Sequence, residues 1–288
     1  MSLAGLALVL AAAICHATWN FFVKRINGGA ELLWLFSILS VAIYLPVALW
    51  ILVVQQPVFG TWQLVFIAGS AVLHLGYFML LQTGYREGDL SLVYPTARAS
   101  GPLLSTTFAV LFLGETVTPQ MALGAGVVIF GVLMLTGGIR PGARHVTVSL
   151  LFGLGAGVLI GSYTAWDAYA VSVLLVPPLL LDYASNLGRA IVLAPVALRR
   201  RERVRQHWAA HRGGVIVVAL FTPLAYILVL YALTFTPVAY VAPARETSVL
   251  LAVLAGSLLL NEGRLRQRLG WAAVILVGMV LLVSARVP

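Results

Sequence analysis

Charge is scarce in this sequence. Only 9% of its 288 residues are Asp, Glu, Lys or Arg, against roughly a quarter in soluble globular domains. So little charge excludes a disordered chain or a coiled coil, both of which need it. Cysteine is nearly absent: Cys15 stands alone, so an intrachain disulfide or a cysteine metal cluster is excluded. Lys24 is the one lysine and reads Val23-Lys24-Arg25, which excludes a Gly-Lys-Ser/Thr phosphate loop. Intramembrane protease signatures are missing too: there is no G-x-S-x-G, no H-E-x-x-H and no G-x-G-D, and residues 86–89 read Arg-Glu-Gly-Asp. The expectation is a protein that is not an enzyme and uses no metal or cofactor.

What the sequence has is apolar length. Hydrophobic residues make up 61% of the chain, and mean hydropathy is +1.01. At about 28 residues per span and loop there is room for about ten membrane spans. The apolar runs place them near 3–23, 32–54, 62–84, 91–113, 119–137, 148–169, 177–198, 213–233, 238–260 and 268–285. No basic residue precedes the first run, and Lys24 and Arg25 follow it, so it reads as a retained helix rather than a cleaved signal. Basic residues keep to alternate loops: Lys24 and Arg25, Arg86, Arg140 and Arg144, the stretch 199–212, then Arg264, Arg266 and Arg268. The opposite side holds Arg286. By the positive-inside rule both termini lie outside the cytoplasm, and 199–212 is a cytoplasmic loop. That loop reads as a topology determinant against lipid phosphate, and nucleic acid is not an expected partner. Trp50, Trp62, Trp208 and Trp271 fall near span ends, where interfacial aromatics belong.

The chain also repeats itself. A gapless shift of 147 residues pairs Trp19 with Trp166, Asn20 with Asp167, Arg98 with Arg245, Glu115 with Glu262 and Gly131 with Gly278. Two five-span halves, 1–141 and 142–288, follow. Five is odd, so the second half enters the membrane upside down. Inverted repeats are the architecture of alternating-access transporters, with the solute site at the midplane between halves.

The segment from Leu111 reads LFLGETVTPQMALGAGVVIFGVLML, and its partner from Leu258 reads LLLNEGRLRQRLGWAAVILVGMVLL. Each leads from one span through a Glu loop into a Gly-rich last span. Both resemble the paired signature of EamA-type drug/metabolite transporters, and the resemblance covers the whole chain. The opening stretch with His16, Trp19 and Asn20 before Lys24 is similar to the bacterial aromatic amino-acid exporters of that superfamily. The resemblance implies an all-α membrane protein of ten transmembrane helices. It implies export of aromatic and other neutral amino acids across a bacterial inner membrane, by a monomer or homodimer in contact with lipid. Export of another metabolite or drug on the same fold, or a channel, is the alternative. The second Glu loop departs from the pattern with Asn261 and three arginines.

Ionisable groups at membrane depth are default functional candidates. Arg98 and Arg245 suit a carboxylate, as a guanidinium does; Glu246, on another face, suits an amine, a proton or a structural partner. His16, Trp19 and Asn20 share a helical face in span one, and Tyr163, Trp166 and Asp167 share the related face in span six. His74, Tyr77 and Phe78 form a third such face, with Tyr94 beside Arg98. Packing is the competing reading for each aromatic face. Asp182 and Arg189, seven apart, read as a polar seam. Pro95, Pro102, Pro223 and Pro243 interrupt spans and mark kinks or hinges. Gly124, Gly126 and Gly131 suggest close helix packing.

Overall fold

The structure, a computed structural model, describes residues 1–26, 28–88, 90–135, 146–251 and 265–285. Asn261, Glu262, Arg264, Arg140, Arg144 and Arg286 lie outside the described residues, as do the 141/142 boundary and the side chains of Lys24, Pro95, Arg266 and Arg268. The described residues hold no strand. Their helices are α1 Leu3–Ile26, α2 Ala30–Trp50, α3 Thr61–Glu87, α4 Leu90–Leu113, α5 Pro119–Leu135, α6 Val146–Ser172, α7 Pro178–Arg199, α8 Arg201–Leu233, α9 Val238–Arg245 and α10 Leu265–Ser284. A π-helical turn, Ile51–Gln55, extends α2. Among the described residues, six helices are long and apolar enough to cross a membrane.

Large apolar side chains such as Val72, Leu111, Phe112, Leu151, Ile191 and Val280 are exposed on these helices. In water such patches would drive association; in a bilayer they are the lipid-facing surface. Helices apolar on every side belong in that setting. Trp50, Trp62 and Trp208 are exposed, but Trp271 turns inward and meets Phe130 edge-on at 5.8 Å.

Local chemistry sets the helix ends. Pro119 opens α5 and Pro178 opens α7, at positions where the missing N–H is not needed. Thr118 Oγ1 accepts the Met121 N–H at 3.2 Å and caps α5. The basic stretch read as a loop is instead helical. His211 has non-helical torsions, so the helix from Arg201 bends there before the apolar run begins. Arginine, glutamine and alanine are good helix formers, which explains the difference. Arg200 and Arg203 reach Glu31 at 3.3 and 3.5 Å beside an open basin of about 480 Å³.

Pairing between helices follows the repeat. α1 packs on α8, and α3 on α6; α2 packs on α8, and α3 on α7. The 147-residue shift turns each first pair into the second. α2 meets α7 and α5 meets α10 directly. The α5–α10 seam is glycine-built: an ideal Cβ on Gly124 would lie 2.6 Å from Leu282 N, and one on Gly278 would lie 2.7 Å from Val128 N. Gly131 lies against Ile275, whereas Gly126 has nothing within 4 Å and takes no part in the seam.

The loop after α4 reaches across the molecule. Gly114 adopts φ +70°, and the Glu115 N–H bonds Ala109 O at 3.2 Å. This bond reaches back six residues, and the left-handed Gly114 ends the helix in the manner that favours glycine. It turns Glu115 toward α9, where its two carboxylate oxygens accept the Val238 and Ala239 N–H groups at 2.6 and 2.9 Å. Burial lifts the Glu115 carboxyl above its usual range, against the pull of those two N–H groups. A carboxylate offers an acceptor to each N–H, whereas an amide offers one oxygen and turns an NH2 donor on the other N–H. Glu115→Gln should therefore lose about 1 kcal/mol or more in detergent melts, and Glu115→Ala, which loses both acceptors, about 1–3 kcal/mol. Two variants that melt like the wild type would show that the cap contributes nothing.

Candidate functional site

α3, α6 and α8 bring the first group of polar side chains together. Asp167 on α6 is fully buried. Its Oδ2 accepts the Tyr226 hydroxyl at 2.5 Å and pairs with His74 Nε2 at 3.0 Å. The His74 ring stacks on Tyr163 at 4.1 Å and meets Tyr226 edge-on at 5.0 Å. Tyr77, one turn beyond His74, meets Tyr163 at 5.8 Å.

The second group comes from α1, α4 and the end of α9. Arg98 lies 3.5 Å from Glu246 Oε1 and 3.1 Å from His16 Nε2, and stands over the Tyr94 ring at 5.5 Å. Arginine only donates, so His16 Nε2 accepts here. α9 stops at Arg245, Glu246 forms a turn, and residues 247–251 are helical again. There the ladder tightens to three-residue spacing while Glu246 keeps helical torsions: its N–H donates to Pro243 O at 3.1 Å, and the Val249 N–H donates to Glu246 O at 3.0 Å. Pro102 and Pro223 sit within α4 and α8, and the non-helical torsion in α8 falls at His211 rather than at Pro223.

Arg245 differs from Arg98. It has no hydrogen-bond or ion-pair partner among the described residues, and it interacts electrostatically with Tyr163, Glu246, Tyr226 and Arg98. Tyr77 likewise interacts with Tyr163, Tyr94, Arg98 and Arg245, which joins the two groups into one network. Glu246 Oε2, Asp167 Oδ1 and Trp19 Nε1 are buried without hydrogen-bond partners among the described residues.

Some expected members stand elsewhere. Trp166 turns toward α3: its Nε1 donates to Phe66 O at 2.8 Å, and its ring stacks on Phe66 at 4.0 Å. Gly69 leaves room for that ring. Trp166 and Asp167 are adjacent, about 100° apart around the helix, and only Asp167 meets His74. Trp19 meets His16 edge-on at 4.8 Å, and it also packs with Phe78 against the cluster of Ile26, Leu32 and Phe36. Asn20 spends an amide N–H on His16 O at 2.9 Å.

Sequence reasoning missed Tyr226. It lies in the apolar run Leu224–Leu233 with no polar periodicity to mark it. The Asp182–Arg189 seam is real but bridged: Asn186 donates to Asp182 Oδ2 at 2.8 Å and accepts from Arg189 at 2.6 Å. Spacings of three and four residues join neighbours on one helical face, so this bridge was available from the sequence.

Comparison with known proteins bears on the whole arrangement. The profile of the EamA-like transporter family matches the chain twice, over residues 3–137 and 147–284. A solved structure, described only as the crystal structure of a protein, is similar at a TM-score of 0.77 and 15% identity. That match covers 96% of this chain and 94% of the other, and it is a likeness of fold.

Proposed function

Because the chain belongs to the EamA-like transporter family, we propose that it is an alternating-access carrier that exports amino acids, aromatic and other neutral ones, from the cytoplasm. The family supports a multi-pass membrane transporter of small solutes. The amino-acid reading rests on one observation: a half-buried Arg245 guanidinium with no partner among the described residues. An unpaired cation at membrane depth is costly, and a solute carboxylate relieves it with charge-assisted hydrogen bonds. Arg98, already held by Glu246 and His16, is the weaker candidate for that role. The Asn20 carbonyl oxygen suits the solute ammonium, with Asp167 and Glu246 supplying negative potential behind it. The Tyr77, Tyr94 and Tyr163 rings offer a shape-tolerant surface to the side chain.

On this reading 1–141 and 142–288 are inverted five-helix repeats in a ten-helix chain, in a bacterial inner membrane, with both termini outside the cytoplasm. The two family matches and the helix pairs that interchange under the repeat shift support it.

Counterflow in proteoliposomes with a panel of labelled amino acids tests the proposal. Saturable exchange of aromatic amino acids is expected. Arg245→Gln should raise the half-saturating concentration about tenfold, the equivalent of about 1.4 kcal/mol, with the protein still folded. Flux that never saturates would indicate a channel. Exchange restricted to solutes without an amine would return the site to another metabolite.

A further inference from the structure

We propose that His74 and Asp167 hold one proton between them, and that the carrier exchanges this proton for solute in each cycle. The proposal rests on the solute-export reading above. It begins from the unequal oxygens of Asp167. Oδ2 has two partners, Tyr226 and His74. Oδ1 has none among the described residues, and it is enclosed. A buried carboxylate oxygen without a donor is unfavourable by several kcal/mol. A solute ammonium cannot reach an oxygen that has no accessible surface, whereas a proton needs no room. A proton taken up by the pair through Oδ2 cancels the negative charge that Oδ1 shares, so the enclosed pair fits a proton and not a solute.

His74 supplies the path. Its side chain is 24% exposed while that of Asp167 is 0% exposed. The imidazole can take a proton from the accessible side and present it through Nε2 to Oδ2. With the proton the pair is neutral, either as imidazolium with carboxylate or as imidazole with carboxylic acid. Without it, the pair carries one buried negative charge.

The position of the pair makes its charge matter to motion. His74 is on α3, within the first family match, and Asp167 and Tyr226 are on α6 and α8, within the second. The bond therefore crosses between the two matched stretches. Losing the proton changes the tie that joins them.

The surroundings carry both signs. On α6 itself, Tyr163 stacks on His74. Tyr77 on α3 meets Tyr163. α4 contributes Arg98 and Tyr94, of which Arg98 is already paired with Glu246. Arg245 at the end of α9 interacts with Tyr163 and Tyr226. From α7, Asp182 interacts with Asp167 and is itself tied through Asn186 to Arg189. Arg245 has no ion-pair partner among the described residues, and it interacts with Tyr226, which donates to Asp167, so its positive potential reaches the pair.

The experiment uses the full chain in proteoliposomes enclosing a pH-sensitive dye, with an amino acid that shows counterflow. Net movement of the amino acid should add protons to the compartment that the solute leaves. In Asp167→Asn the number of protons moved per solute should fall at least fivefold, whatever solute flux remains. Saturable solute movement without proton movement in the wild type overturns the proposal, and so does an unchanged ratio in Asp167→Asn. A second measurement needs no solute. Infrared difference spectra of the wild type as pH is lowered should contain a buried carboxylic-acid band that Asp167→Asn lacks. If no amino acid is carried but that band is present, the solute reading fails and the proton site stands. If the band is missing from the wild type, the proton site fails by itself.

Discussion

Arg98→Met should destabilise the protein by about 3–5 kcal/mol, the penalty for breaking a buried ion pair on one side. Glu246 is 1% exposed, and Arg98 is the cation within ion-pair distance of it among the described residues. Removing the guanidinium leaves a carboxylate with Oε1 newly unpaired and Oε2 already without a partner. It also leaves His16 Nε2 without its donor. Neutralising both partners removes the stranded charge, so Arg98→Met combined with Glu246→Gln should recover much of the loss. Thermal unfolding of the four proteins in one detergent, taken as a double-mutant cycle, measures the coupling. A single variant as stable as wild type would show that the pair contributes nothing in the folded membrane protein.

Gly124→Ala should produce the next largest change, a loss of about 1–3 kcal/mol through overpacking. The added Cβ would lie 2.6 Å from Leu282 N and 3.0 Å from Gly278 O. Both are backbone atoms of the facing helix, so no rotamer change relieves the clash and α5 and α10 must separate. Gly278→Ala should behave alike, meeting Val128 N and Gly124 O. Gly126→Ala provides the contrast. It meets nothing within 4 Å, and alanine is the better helix former by up to about 1 kcal/mol, so this variant should be as stable as wild type or more so. If Gly124→Ala and Gly126→Ala melt alike, the seam is not held by backbone contact.

The apolar runs were enough to place helices, because a bilayer demands about twenty apolar residues per crossing and little else in this chain competes for that signal. Their polar partners were harder to read. Period and face showed that Asp167 and His74 were placed to be useful, yet two residues on one helix say nothing about which neighbour they meet. Tyr226 illustrates the gap, since it is the shortest contact to Asp167 and sits in a stretch where every neighbour is apolar. Trp166 illustrates the reverse. It shares a repeat position with Trp19, but Phe66 O and the space over Gly69 fix its ring in a helix seam, and both features belong to another helix. Arg98 and Arg245 are equivalent in the repeat and unlike in the structure. Glu246 follows Arg245, while Ala99 follows Arg98, so the two halves hold a single carboxylate for two guanidinium groups at this level.

The Glu115 cap has a consequence for time as well as for strength. A carboxylate that closes a helix end within its own half would only add stability. This one stands on the loop after α4 and grips the head of α9, so any motion that parts those two segments must first release both N–H groups. If that release takes about 1–3 kcal/mol, it lengthens the dwell of the form in which the two segments are joined by roughly five- to 150-fold. One side chain at the opposite end of α9 from Arg245 then works as a timer, and on the carrier reading the pace of the cycle can be reset without altering what the protein binds.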